Sequence, residues 1–199
     1  MSSPDPIQHP IRHPIDYSPQ GRAIRHCRNC GAATAMGVPS DGDTKERAIC
    51  TACGTIHYLN PLPVAGTIPY LGDRVLLCKR NIEPRLGKWT LPAGFLEIGE
   101  SIAQGAERET HEEAGAQIEM EGLFSVLSVP RVGQVHFFYR ARLLSDQFNP
   151  GVESMEARLF SEAEIPWGEI SFLTIKRTLE CFFEDRRSGE FKIHDLVLN

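Results

Sequence analysis

The chain has 199 residues, with 21 Lys and Arg against 26 Asp and Glu, a formal net charge of −5. One domain with a small appendage is expected at this length, with enough buried surface to fold without covalent staples. Apolar residues make up 41%, but runs such as Val75-Leu76-Leu77-Cys78 fall far short of the ~20 residues a membrane span needs, and the negative balance argues against coating nucleic acid by phosphate neutralisation.

Residues 1–24, MSSPDPIQHPIRHPIDYSPQGRAI, hold five prolines and no apolar periodicity. Each proline removes a backbone donor and biases its predecessor towards extended conformations. No stretch resembles a secretory h-region, and Asp5 and Asp16 beside only Arg12 and Arg22 are unlike a transit peptide. A flexible extension and a cytoplasmic location are therefore expected. His9 and His13 offer a metal-related alternative for this segment.

Cys27-Arg28-Asn29-Cys30 and Cys50-Thr51-Ala52-Cys53 are two C-x2-C pairs separated by 19 residues. Such turns aim two thiolates at one point, and two of them supply the four sulfurs of a tetrahedral zinc site. Disulfides would need an oxidising compartment. A redox C-x-x-C would open a helix in a βα unit, whereas the strand-like Thr55-Ile56-His57-Tyr58 follows here. Four sulfurs leave no open coordination position, so structural Zn²⁺ on Cys27, Cys30, Cys50 and Cys53 is expected. The pattern, over residues 25–59, resembles a zinc ribbon. Cys78 and Cys181 are expected as buried thiols.

From residue 60 to 199 a second domain is expected. Residues 63–71 and 74–80 read as strands joined at Gly72-Asp73. A stretch containing Gly87, Pro92 and Gly94 follows. Ser101 with Gln104 then forms a capping box, and Gly115 marks the helix end. Strands are expected over 117–129, 133–144 and 156–161. A helix over 171–186 would present Phe172, Ile175, Leu179 and Phe182 on one face. FKIHDLVLN could close the sheet. The result is a mixed α/β sandwich rather than a regular βαβ winding.

The first helix carries Glu107, Glu109, Glu112 and Glu113. Glu109, Glu112 and Glu113 share a face, where their mutual repulsion disfavours the helix. A solvated acidic face is one reading. A hard divalent cation is the other, since it would turn the repulsion into attraction.

Gly94, Glu100, Arg108, Glu109, Glu112, Glu113 and Gly115 fill every fixed position of Gly-x5-Glu-x7-Arg-Glu-U-x-Glu-Glu-x-Gly-U. The stretch resembles the Nudix box. Thr110 and Ala116 stand where that motif has bulky aliphatic residues, which concerns packing more than chemistry. The resemblance implies a Nudix α/β/α sandwich behind a small zinc ribbon. It implies Mg²⁺ or Mn²⁺ held by Glu109, Glu112, Glu113 and the Ala93 carbonyl, with Arg108 and Glu100 orienting the ligands. The substrate would be a small nucleoside diphosphate derivative, split by water at its diphosphate, and the protein a homodimer without membrane or nucleic-acid partners. A further carboxylate from a later loop would be Glu153 or Glu156. Glu156 is preferred because it lies at the edge of an expected strand. The general base is left open.

An SQPWPFP-like stretch, typical of NADH diphosphatases and NAD-decapping enzymes, is absent. The runs RAICTACG, VLLCKRNIEP, KWTLPAGFLEIGES, IAQGA and ESMEARLF resemble the FAD and ADP-ribose diphosphatases of plant plastid type. Pro130, 15 residues after Gly115, loosely fits an ADP-ribose-type marker. FAD, then ADP-ribose, are the expected substrates; an NADH/NAD-type diphosphatase and a non-enzymatic nucleotide sensor are alternatives. Phe95, Phe124, Phe137, Phe138 and Tyr139 are candidates for stacking on a ring or for the core.

Overall fold

The computed structural model describes residues 21–199. His9, His13 and most of the expected extension lie outside the described residues. At their edge Arg22 donates to the Asn60 carbonyl at 3.0 Å and the Gly133 carbonyl at 3.2 Å.

Strands β1 (Thr34–Gly37), β2 (Arg47–Cys50) and β3 (Ile56–His57) form a small antiparallel sheet in that order. Both C-x2-C turns close in the same way. The Gly31 amide donates to the Cys27 carbonyl at 2.9 Å, and the Gly54 amide to the Cys50 carbonyl at 3.1 Å. With only three short strands, this unit gains little from apolar burial and depends on what its cysteines hold.

The larger sheet is built from β4 (Leu62–Leu71), β5 (Arg74–Arg80), β6 (Trp89–Thr90) and β7 (Ala93–Phe95), all before helix α1 (Ile102–Ala114). After α1 come β8 (Ile118–Val129), β9 (Gln134–Leu143), β10 (Ser154–Phe160), helix α2 (Leu173–Ser188) and β11 (His194–Val197). Strand order is β10-β5-β4-β9-β8-β11, with β6 beside β5 and β7 beside β4. The β4–β9 and β8–β11 pairs are parallel and the others antiparallel, so the sheet is mixed.

Strand alternation assigns each side chain of β5 to one of two layers. Val75 and Leu77 join Phe160, Ile175, Leu179 and Phe182 beneath α2. Leu76 and Cys78 join Ala114, Ala116 and Leu143 beneath α1. Helices thus cover both faces, as the α/β/α expectation requires, and Cys78 and Cys181 are both buried. Phe124 and Phe138 are core residues, 1% and 0% exposed.

Two details differ from the sequence expectation. Helix α2 begins at Leu173 rather than residue 171, with Phe172 extended at the N-cap (φ −132°, ψ 150°). The Ser171 amide is already bonded to the Trp89 carbonyl at 2.8 Å, which holds this backbone extended. The glycine- and proline-containing stretch before α1 also supplies β6 and β7, short strands paired to β5 and β4.

Candidate active site

Helix α1 starts as its capping box predicts: Ser101 Oγ accepts from the Gln104 amide and the Gln104 side chain accepts from the Ser101 amide. Gly115 ends it in the left-handed region at φ 61°. Between these ends, Glu109 and Glu113 turn inward towards β7. Glu113 is only 6% exposed, and its Oε2 accepts from the Ala93 amide at 3.3 Å. Burial pushes its carboxyl up to about 8, with Glu109 adding to the shift and the Ala93 amide opposing it. Burial also raises Glu109, against the pull of Arg108. A Cβ on Gly94 would lie 2.2 Å from Glu109 Oε1. Glycine therefore lets the β7 backbone and this carboxylate meet.

Arg108 ties the acidic group together. Its Nε and Nη2 clasp both Glu100 oxygens at 3.0 and 2.8 Å, and Nη2 also reaches the Phe95 carbonyl at 3.2 Å. Its Nη1 donates to Glu109 at 2.8 Å and Glu112 at 3.2 Å. Arg108 and the Glu97 amide hold Glu100 down at about 2, permanently ionised. The guanidinium thus stands between Glu109 and Glu112 and fixes their direction. Carboxylates and a backbone carbonyl are hard oxygen donors, a set suited to Mg²⁺ or Mn²⁺. The room left by Gly94 beside Glu109 fits such a role.

The loop before β10 brings Glu153 to this group. The Asn149 amide donates to the Ala114 carbonyl at 2.9 Å and the Gly151 amide to the Glu113 carbonyl at 3.3 Å, so the loop closes the end of α1. A Cβ on Gly151 would lie 2.0 Å from the Glu112 carbonyl oxygen, an approach only glycine allows. The next residues are anchored by Asn81, through its side chain to Val152 and its amide to Glu153. Glu153 lines the cleft with Glu109, Glu112 and Glu113, and its charge acts on Glu109 and Glu113. Glu156 does not line the cleft. Ala157 and Leu159 pack beneath α1, so strand alternation turns Glu156 to the opposite face, opposite Lys79. Against the expectation that Glu156 joins the carboxylates, the structure places Glu153 on the cleft and Glu156 on the other face of β10.

A cavity of about 1000 Å³ extends from these carboxylates to the first turn of α2. Arg80, Phe95, Val129, Arg131, His136 and Leu198 are among its walls. Of the five aromatics singled out from the sequence, Phe95 lines it. His136, Ser171 and Thr174, which sequence reasoning did not single out, line it as well. Their signal is visible only in three dimensions, because His136 comes from β9 and the other two from the segment that enters α2 and its first turn, far apart in the chain.

The four cysteines of the small sheet come together as expected. Their sulfurs all lie within 4.8 Å of one another, with contacts of 3.5–3.7 Å. A tetrahedron of Zn–S bonds of about 2.3 Å would have sulfurs about 3.8 Å apart. Amides of Asn29, Ala52 and Cys53 point at Cys27 and Cys50 Sγ at 3.4 Å, and His57 Nε2 lies 3.3 Å from Cys27 Sγ. Burial opposes ionisation of Cys27, but the Asn29 and Cys30 amides with His57 outweigh it and draw the thiol down to about 5. At Cys27 these donors favour the thiolate, the form that binds zinc, whereas at Cys30 the pull of the Ala32 amide is outweighed by the Cys50 and Cys53 sulfurs, which push the thiol up to about 12. Among the described residues no other set of three or more such ligand atoms converges this closely; Glu109, Glu112 and Glu113 do not, with Arg108 between two of them.

Comparisons with known proteins follow this division. Residues 61–178 match the NUDIX domain and residues 25–59 the Nudix N-terminal zinc ribbon. A crystal structure of a NUDIX hydrolase from Nitrosomonas europaea is 47% identical with a TM-score of 0.85, covering 88% of this chain and 99% of that one. The NAD-capped RNA hydrolase NudC of Vibrio parahaemolyticus is 25% identical over 92% of this chain and 70% of its own. The ADP-ribose pyrophosphatase of Methanocaldococcus jannaschii is 28% identical over 55% of this chain and 67% of its own. For three other NudC relatives, the matched part is 36–57% of their length. Among the described residues no helix is long and apolar enough to cross a membrane. With the box complete, the fold in place and both family models matched, the chain belongs to the NUDIX family of hydrolases and carries the family's N-terminal zinc ribbon.

Proposed function

We propose that this protein is a pyrophosphatase that uses Mg²⁺ or Mn²⁺ to hydrolyse the diphosphate bond of an ADP-ribose- or NAD-type dinucleotide, releasing AMP. The observation that carries the reading is the group of Glu109, Glu112, Glu113 and Glu153, with Glu113 buried and the others reaching the cleft, on the wall of a cavity of about 1000 Å³. That is the upper end of small-molecule sites and suits a ligand with two ring systems. The names of the NudC and ADP-ribose pyrophosphatase relatives support the same substrate class. FAD, the first expectation from the sequence, belongs to the same chemical class and stays in the test.

Glu109, Glu112, Glu113 and the Ala93 carbonyl would hold the metal, with Glu153 adding a carboxylate from its loop. The metal would polarise the diphosphate and lower the pKa of the attacking water. Arg108 and Glu100 would orient the carboxylates, and Arg108 Nη1 would have to give up its bond to Glu109 or Glu112 for these oxygens to converge on the metal. We further read the protein as a cytoplasmic homodimer with a structural Zn²⁺ in each ribbon; light scattering should give a mass near twice 22.2 kDa.

The test is a panel: ADP-ribose, NADH, NAD⁺ and FAD incubated in parallel with Mg²⁺, following AMP release. Turnover of ADP-ribose or an NAD-type dinucleotide is expected, and Mn²⁺ should substitute. Absence of turnover with every member of the panel would refute the reading.

A further inference from the structure

The cavity wall also holds buried polar atoms with no partner among the described residues. Ser171 and Thr174 are each 5% exposed and line the cavity, yet Ser171 Oγ and Thr174 Oγ1 have no hydrogen-bond partner among the described residues. His136 lines the same cavity, and its Nδ1 is likewise buried without a partner among the described residues. Buried polar atoms are ordinarily satisfied, so three orphans on one cavity call for a ligand.

The donor and acceptor pattern is specific. His136 Nε2 lies 3.0 Å from Gln134 Oε1, an acceptor, so Nε2 carries the hydrogen and Nδ1 is left as an acceptor. Burial pushes the imidazole down to about 4, so it is neutral at pH 7. The two hydroxyls can each donate. Helix α2 adds its N-terminus, since Phe172 at the N-cap makes no side-chain hydrogen bond to the first-turn amides. None of these three side chains is charged, and Val64, Val129, Ile175 and Leu198 line the same cavity, as does Arg80, 5.3 Å from the Phe172 ring centroid. The neutral His136 Nδ1 needs a donor, which an ionised phosphate does not offer, so the group suits the polar edge of a ring.

We infer that Ser171, Thr174 and His136 form the subsite that reads one ring of the substrate, through an edge bearing an N–H donor beside a hydrogen-bond acceptor. This rests on the pyrophosphatase reading above. Two parts of such dinucleotides carry that edge: the amino side of adenine and a ring carboxamide.

The experiment compares kcat and KM for ADP-ribose, NAD⁺, their 1,N6-etheno-adenine forms, and 3-acetylpyridine adenine dinucleotide, in wild type and Thr174→Val. The etheno bridge removes the donor from adenine, and the acetyl group removes it from the carboxamide. Reading of adenine raises KM for both etheno compounds about tenfold or more. Reading of the carboxamide spares etheno-NAD⁺ and raises KM for the acetylpyridine compound. In either case Thr174→Val should bring the discrimination to within about twofold, by raising KM for the unblocked compound. Equal treatment of all compounds by wild type, or equal losses on all of them in the variant, would overturn the inference. Calorimetric affinities for AMP, etheno-AMP and nicotinamide mononucleotide give a second readout. It still tests the subsite if no dinucleotide is cleaved. Replacing an unpartnered buried hydroxyl by a methyl should leave the variant at least as stable as wild type, so a folding defect would count against the orphan assignment as well.

Discussion

The Nudix box has an aliphatic residue where this chain has Thr110, and the structure explains how a hydroxyl is tolerated there. Thr110 and Thr67 are both 0% exposed. Thr110 Oγ1 donates to the Ala106 carbonyl at 2.8 Å and lies 2.6 Å from Thr67 Oγ1. Since the Thr110 proton is already used, the Thr67 hydroxyl must be the donor between the two. Thr110→Val therefore leaves the Thr67 donor buried and unpaired, a loss of about 1–3 kcal/mol. Thr67→Val removes only an acceptance by Thr110, whose own donation to Ala106 survives, and should cost about 0.5–1.5 kcal/mol. The double valine variant has no stranded group and restores the aliphatic pair. It should be more stable than Thr110→Val alone, with a coupling of about 1–2 kcal/mol. Urea unfolding of the zinc-loaded protein, followed by tryptophan fluorescence, measures all three. Single-variant losses that add to the double within about 0.5 kcal/mol would show that the hydroxyls are not coupled, and the explanation would fail.

Other consequences are equally direct. Glu113 is held near 8, above the ordinary 4.5, so the folded chain binds that proton more tightly than the unfolded one. Its contribution to stability is fully present below about pH 4.5 and lost as pH rises through 8. Melting temperature in Mg²⁺-free buffer should fall over this window, and Glu113→Gln should flatten the fall; an unchanged slope would remove the assignment. Glu153→Gln should lower kcat by about 10–100-fold, the range for groups supporting a metal site, while Glu156→Gln should stay within about twofold. The reverse order would restore Glu156. Elemental analysis of fresh protein should find one zinc per chain, and Cys50→Ser should lose it and render residues 25–59 protease-sensitive; a zinc-free preparation would refute the ribbon site.

Much of this site was readable from spacing alone. The i, i+3, i+4 placement of Glu109, Glu112 and Glu113, the Ser101 cap and the paired C-x2-C turns are local patterns, and local geometry follows from them. The choice between Glu153 and Glu156 was not local. It depends on which face Ala157 and Leu159 cover and on how Asn149 and Gly151 fasten to the end of α1. The start of α2 was likewise set from afar, by a bond between Ser171 and Trp89. The Thr67–Thr110 pair and the Ser171–Thr174–His136 group join residues 43 and about 35–38 positions apart, and no periodicity in one segment reports such partners.

The last strand matters for anyone handling the protein. Strand β11 lies parallel to β8, its side fastened by His194 Nε2 to Asp185 Oδ2 at 2.9 Å and the Leu198 amide to the Ser128 carbonyl at 2.9 Å. That fastening delivers Leu198 and Asn199 into the cavity wall. Bulk added to the side chain of Leu198 would therefore enter the cavity wall and compete with a ligand for the cleft. Leu198→Trp should weaken ligand binding, so the outermost strand of the sheet is a handle on the cleft.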